Sequence, residues 1–245
     1  MIDFSHVSKS YGETLALDGL HLTIDAGEIF GLIGHNGAGK TTTISLLTSI
    51  LTPSDGTITV QGLNLATHRD QIKKRLAYVP DSPDLFLHLT AYEYWQFLGK
   101  LYQVEKEHVE QRLAELIQLF DMGDHQHKAI DSLSHGMRQK TIVIGSLVAD
   151  PDVWILDEPL TGLDPQAAFD LKQLMRKQAQ AGKTVLFSTH VLSVAEQLCD
   201  RIGILRKGQL IFHGSLEELK NQYPDQDLES IYLHLAGRQH EKGGD

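Results

Sequence analysis

The run Gly34-His35-Asn36-Gly37-Ala38-Gly39-Lys40-Thr41 constrains this chain more than any other stretch, because it fits G-x-x-x-x-G-K-[ST] at every fixed position. Its flanks agree with it. Glu28 to Ile33 is a short apolar run that reads as a buried strand, and after Thr41 the residues Ile44, Leu47, Ile50 and Leu51 fall at helical spacing. A strand, a glycine-rich turn and a helix let successive N–H groups converge on phosphate oxygens, with the helix dipole pointing the same way. On this reading Gly34, Asn36, Gly37, Ala38, Gly39 and Thr42 belong to a phosphate cradle. Lys40 reaches the β- and γ-phosphates, and Thr41 offers its hydroxyl to Mg2+. The implied ligand is a nucleoside triphosphate.

Short alternating runs at Ile2-Asp3-Phe4, Thr14 to Leu17 and Leu20 to Ile24, separated by turns at Tyr11-Gly12 and Asp18-Gly19, predict antiparallel strands at the N-terminus. Thr57 to Val60 and Leu76 to Val79 continue the strands. The pattern then turns helical, with Tyr94, Phe97, Leu98 and Leu101 on one stripe and Leu113, Leu116, Ile117 and Phe120 on another. Strands at Val153 to Leu156, Thr184 to Phe187, Ile202 to Leu205 and Gln209 to Phe212 alternate with helices at Gln166 to Ala179 and Leu192 to Leu198. That alternation implies a mostly parallel sheet covered on both faces. The expected fold is α/β: a P-loop NTPase core, an N-terminal antiparallel β subdomain and an inserted α-helical subdomain. Residues 1–84 and 151–220 are expected to form the core and β subdomain, 85–150 the helical part, and 221–245 a C-terminal helix and tail, all within one 1–245 domain. Leu228, Ile231, Tyr232 and Leu235 share a face that should pack on the chain's own body, and Gly237 to Asp245 should fray.

Charge narrows the ligand further. The formal net charge of −10 and the lack of a dense Lys/Arg run argue against a nucleic-acid partner. Cys199 is the only cysteine, which excludes an internal disulfide and fits a reducing compartment. No run approaches the roughly 18 apolar residues of a membrane span, and Met1-Ile2-Asp3-Phe4 does not read as a leader. Action at a membrane would go through a partner.

Two further stretches carry chemistry. Val153-Trp154-Ile155-Leu156-Asp157-Glu158 is a buried strand ending in two carboxylates, at the carboxyl end where open α/β sheets bind ligands. Asp157 would hold Mg2+ and Glu158 would polarise the attacking water. Leu133-Ser134-His135-Gly136-Met137 places a helix N-cap serine before a glycine. This segment resembles the L-S-G-G-Q signature of ABC-type ATPases and precedes Asp157-Glu158 at that family's spacing.

The resemblance covers nearly the whole chain and implies an ATP-binding subunit. Gly34 to Thr42 is similar to the Walker A segment and Val153 to Glu158 to Walker B. Thr161-Gly162-Leu163-Asp164 looks like the D-loop, and Ser188-Thr189-His190 like the switch motif, with His190 toward the γ-phosphate. Tyr11, 23 residues before Gly34, matches the aromatic that stacks on adenine. By resemblance, Ser134 and Gly136 of one subunit close over the Walker A site of another, so ATP binding joins a head-to-tail dimer. Three departures stand out: His135 and Met137 replace a glycine and the glutamine of the signature, and Asp81 stands where the family has its Q-loop glutamine. Asp81 is expected to ligate Mg2+ and tune nucleotide affinity.

The implied partners are an integral-membrane transporter subunit, met near Leu85-Phe86-Leu87 unless those side chains are core, and a second ATP-binding subunit. The expected site of action is the cytoplasmic face of the membrane. The signature variant, the missing glutamine and the Leu228 to Gly237 ending look most like bacterial exporter ATPases and the Ecs-like group. About 25 residues follow Lys220, and no further regulatory domain is expected from them. Alternatives are a soluble ABC ATPase acting on ribosomes or DNA, whose paired domains or coiled coils are not found here, and a P-loop kinase or GTPase. The last would need a guanine-reading N-K-x-D segment, which the chain lacks.

Overall fold

Five-residue runs such as Ile29-Phe30-Gly31-Leu32-Ile33 are apolar on both faces, so they are stable only where both faces are covered. The computed structural model, which describes residues 1–224 and 226–235, places such strands at the centre of a sheet. Strands β3 (Ile29–Ile33), β6 (Leu76–Val79), β7 (Val153–Asp157), β8 (Thr184–Thr189), β9 (Arg201–Arg206) and β10 (Gln209–Ser215) run in the order β10-β9-β3-β8-β7-β6. All pairs are parallel except β9 with β10. A second, antiparallel sheet, β2-β1-β4-β5, is built from β1 (Ile2–Tyr11), β2 (Thr14–Ile24), β4 (Asp55–Val60) and β5 (Leu63–Asn64).

Helix α1 (Lys40–Leu47) and the apolar faces of the two sheets enclose one core, in which Phe4, Leu22, Phe30, Leu32, Ile44 and Ile155 are fully buried or nearly so. On the other face, α6 (Pro165–Gln180) packs together with α3 (Ala91–Leu101), α4 (Lys106–Leu119) and α5 (His135–Leu147). Two tryptophans lock that face. Trp95 Nε1 donates to the Thr141 carbonyl and Trp154 Nε1 to Ser146 Oγ, both at 2.9 Å, so each large ring is buried with its one polar atom paired. Helix α2 (Arg69–Lys73) precedes β6. The helices α7 (Leu192–Leu198), α8 (Leu216–Gln222) and α9 (Leu228–Leu235) share a third cluster with Ile33 and Ile204. Leu228 and Ile231 are buried there, so α9 packs on the chain's own body as its apolar face requires.

Several local expectations are corrected. Asp18-Gly19 is no turn: β2 runs through it with a bulge, because Asp18 N–H donates to the Gly208 carbonyl and Gly19 N–H to Ser8 Oγ, both at 2.9 Å. Helix α1 ends at Leu47, before Ile50, since the backbone reverses at Ser49 (φ 53°), which leaves Ile50 exposed. The buried stripe of α3 is Ala91, Tyr94 and Trp95, while Phe97 and Leu101 face out; the bulk of Trp95 sets the helix rotation. The short elements β5, α2 and α8 carried no periodicity long enough to read. The tail from Gly237 to Asp245, and the end of the Leu228 to Gly237 stretch beyond Leu235, lie outside the described residues.

Candidate functional site

Strand register brings the chemistry together. In the parallel pairs Ile33 lies opposite Thr189, Asp157 opposite Ser188, and Val79 opposite Leu156. The loops leaving β3, β6, β7 and β8 therefore emerge at one edge, at the carboxyl ends of their strands. The loops leaving β3, β6 and β7, with Ala16 of β2, enclose a cavity of about 400 Å3 lined by Ala16, His35, Asn36, Gly37, Gly39, Lys40, Thr41, Thr42, Asp81, Asp157 and Glu158. A larger cleft of about 530 Å3 lies elsewhere, between α4 and the C-terminal ends of α5 and α6. There Arg112 and Lys183 are both already paired with Asp150.

The loop into α1 depends on two glycines. Gly39 adopts φ 113°, a conformation that favours glycine, and a methyl group at Gly34 would come 2.7 Å from the Ala38 methyl and 2.8 Å from the Leu205 carbonyl. Ala38 is fully buried beneath the turn. Lys40 is 6% exposed, and its Nζ donates to the Gly34 carbonyl at 2.6 Å, folding the side chain back over the loop. The same Nζ lies 3.3 Å from Glu158 Oε1, while His190 Nδ1 lies 3.0 Å from Glu158 Oε2. Glu158 is thus held from both sides, and its backbone sits at φ 47°, a strained conformation for a residue with a side chain.

Asp157 is 2% exposed. Its carboxyl is pushed up from the usual range, foremost by burial; hydrogen bonds from the Ser188 and Thr41 hydroxyls oppose this, and the charges of Asp81 and Glu158 add to it. The sequence places Ser188 in the switch-like motif but gives it no role at the carboxylates. Its Oγ donates to Asp157 Oδ1 and accepts the Glu158 N–H at 3.0 Å, joining the two carboxylate positions to β8. Its place in the Ser188-Thr189-His190 stretch was the available signal. Ala16 was missed, for it reaches the cavity from the distant β2.

The structure brings together Gly37, Gly39, Lys40, Thr41, Thr42, Asn36, Asp81, Asp157 and Glu158 as lining residues. Gly34 and Ala38, in the turn itself, and His190, against Glu158, are not part of the lining. Four others stand apart. Tyr11, 48% exposed, ends β1 outside the lining, with the Lys9 ammonium 5.4 Å from its ring centre. Ser134 caps α5 by accepting the Met137 N–H at 3.3 Å, and Gly136 lies in the first turn of the same helix. Asp164 caps α6, accepting the Ala167 N–H at 2.8 Å, and pairs with Lys140 at 3.0 Å.

This geometry is matched by a known sequence pattern: a family model described as ABC transporter fits residues 17–161. The chain belongs to the ABC transporter family. EcsA, an ABC-type transporter ATP-binding protein of Bacillus subtilis (strain 168), is 33% identical to it over 238 residues, covering 96% of each chain. The daunorubicin/doxorubicin resistance ATP-binding protein DrrA of Streptomyces peucetius is 37% identical over 235 residues, 96% of this chain and 71% of DrrA. Among solved structures, the dimeric post-hydrolysis state of the ATP-binding cassette MJ0796, bound to ADP and Pi, has a TM-score of 0.80 at 25% identity. It spans 88% of this chain and 99% of that one. The protein is an ATP-binding subunit of the ABC transporters and hydrolyses ATP. Among its described residues no helix is long and apolar enough to cross a membrane.

Proposed function

We propose that this ABC subunit powers export from the cytoplasmic face of a membrane, working beneath an integral-membrane subunit as one of two ATP-binding subunits, a second copy or a close relative. Mg2+-ATP closes the head-to-tail pair and hydrolysis reopens it, since ATP binds the closed state better. The observation that carries the catalytic half is the contact of Glu158 with Lys40 at the mouth of the phosphate cradle. The γ-phosphate would take the ammonium from the carboxylate and free Glu158 to accept a proton from the attacking water. His190 would orient Glu158 from its other side, and Ser134 and Gly136 would close on the partner's nucleotide. Tyr11, half exposed, is the ring available to adenine.

The donor set suits Mg2+. Thr41, Asp157 and Asp81 present oxygen atoms, and among the described residues no cluster of three or more His, Cys, Asp or Glu could hold a metal by itself. Mg2+ is held in just this way, by one or two carboxylates plus phosphate oxygens and water. When bound, it neutralises charge developing on the phosphates. If Asp81→Gln left the Mg2+ and ATP dependence of hydrolysis unchanged, Asp81 would have no part in the metal site.

Support for the membrane partner comes from the start of the helical region. Leu85, Phe86, Phe97 and Leu101 are 38–60% exposed, and the Phe86 ring lies 5.5 Å from that of Phe97, so two exposed aromatic rings adjoin just after the Asp81 loop. Export is favoured by the likeness to a drug-resistance protein. The test is recovery of tagged protein from detergent-solubilised native membranes, compared with a Phe86→Ser/Phe97→Ser variant. A multi-span membrane protein in near-equal amount, lost with the variant, is expected. Recovery of ribosomes, DNA or nothing would refute the proposal.

A further inference from the structure

The loop that begins at Glu158 ends against the helix that begins after Ser134. A methyl group at Gly136 would lie 2.7 Å from the Gly162 carbonyl oxygen, so the two backbones touch. Gly162, at φ 77°, sits directly under the His135 imidazole; a methyl group there would overlap the ring and lie 2.9 Å from its Nε2. Two residues on, Asp164 divides its carboxylate. Oδ1 caps α6 through the Ala167 N–H, and Oδ2 meets Lys140 Nζ on α5 at 3.0 Å. Between these anchors the loop is short and internally bonded, with Thr161 N–H donating to the Glu158 carbonyl at 3.2 Å and Leu163 N–H to the Leu160 carbonyl at 3.4 Å. Leu160, Leu163 and Met137 pack on the same core.

We propose that His135 and Lys140 clamp the loop Pro159–Asp164 to the first turns of α5, so that Ser134 and Glu158 are carried by one mechanical unit. The consequence lies in the strained backbone of Glu158. A residue held in the left-handed region keeps its side-chain direction only while its surroundings over-determine it. Ser188 Oγ fixes one end of the loop through the Glu158 N–H, and the clamp fixes the other. A glycine at 135 would leave Gly162 uncovered and rest the polar side-chain hold of the loop on α5 on the Lys140–Asp164 pair, which is half exposed on the Asp164 side and weak by itself. His135 and Lys140 are therefore positioning residues, acting through the loop on the aim of Glu158. The clamp is a statement about structure; its effect on turnover rests on the catalytic reading of Glu158 given above.

The test combines amide hydrogen exchange with steady-state kinetics on the full chain. Wild type, His135→Ala, Lys140→Met, the double variant and Lys140→Arg are compared, each checked for an unchanged melting transition. The double variant is expected to speed exchange of residues 160–164 by about tenfold while residues 36–42 of the phosphate loop keep their protection. Its kcat should fall about fivefold with KM for ATP unchanged, because the cradle is intact and only alignment is lost. Lys140→Arg should keep wild-type exchange. Gly162→Ala adds a steric arm: it should slow turnover, and combining it with His135→Ala should recover part of the loss. Unchanged loop exchange in the double variant overturns the clamp. Faster exchange with unchanged kcat overturns its link to Glu158. A wild type without ATP turnover removes that link together with the catalytic reading, and exchange alone then decides the clamp.

Discussion

Replacing Glu158 by Gln removes the counter-charge of a lysine that is almost entirely buried. Lys40 and Glu158 side chains are 6% and 13% exposed and 3.3 Å apart. At an effective dielectric of about 20, two unit charges at that distance attract by roughly 5 kcal/mol before desolvation is subtracted. Breaking such a pair by removing one partner costs about 3 kcal/mol, because the remaining charge stays buried. The Gly34 carbonyl, at 2.6 Å, keeps one hydrogen bond to the ammonium but no compensating charge. For a chain of this size that converts to a fall in Tm of about 6–12 °C without nucleotide. ATP should erase most of the difference, since its phosphates replace the carboxylate beside Lys40. Turnover should meanwhile fall about 100- to 10,000-fold, the range for a lost general base. Thermal melts with and without ATP, on Glu158→Gln, Lys40→Met and the double variant, measure the pair directly. Additive effects of the two substitutions without nucleotide, within about 0.5 kcal/mol, would refute the coupling. Wild-type turnover in Glu158→Gln would remove it from catalysis.

Asp157→Asn should stabilise the nucleotide-free protein and weaken Mg2+-nucleotide binding, read by melts and calorimetric titration. The folded carboxyl is pushed above the ordinary carboxylate range by burial, so its ionisation costs stability as pH rises through and above that range. The gain in the Asn variant should thus be present at neutral pH and vanish as pH falls below the ordinary carboxylate values; a gain independent of pH would show that ionisation is not its cause. Trp95→Ala should cost about 3–5 kcal/mol in a denaturant melt, because it empties a fully buried site and loses the hydrogen bond to the Thr141 carbonyl. Thr41→Ala should remove a hydroxyl that supports the ionised form of Asp157 and raise the Mg2+ concentration needed for half-maximal hydrolysis.

What could be read from the sequence was whatever is encoded locally. The Gly34–Thr41 loop is eight consecutive residues that fit one fixed pattern, and the strand ending in Asp157-Glu158 announces itself by its apolar run. Strands β6 and β7 were legible because each is a short apolar run, and helix α7 lies where the alternation of strands and helices placed it. Contacts made across the fold left no such trace. Ser188 reaches Asp157 from 31 residues away and Lys140 reaches Asp164 from 24, and nothing in either local segment specifies the distance. The Asp18-Gly19 pair shows the converse failure: its local chemistry says turn, and two hydrogen bonds from elsewhere hold it as a bulge instead. Trp95 was overlooked because periodicity weighs a tryptophan like any apolar residue, whereas its size decides which face of α3 turns inward.

The three departures from the family's usual residues differ in what they change. Met137 alters least: its backbone N–H still meets Ser134 Oγ, its carbonyl accepts the Thr141 hydroxyl, and its side chain packs on the core. The turn that presents Ser134 is thus a backbone device and survives loss of the glutamine. Asp81 changes the electrostatics, adding a third carboxylate to a cavity whose one lysine already faces Glu158. That arrangement favours a state with a cation present, because only added positive charge relieves the repulsion that also raises Asp157. His135 changes the mechanics by covering Gly162. Asp81 acts through its charge on Asp157, and His135 acts through the proposed clamp on the adjoining Glu158, so an exchange of Asp81 for glutamine and of His135 for glycine should not be independent in their effects on hydrolysis.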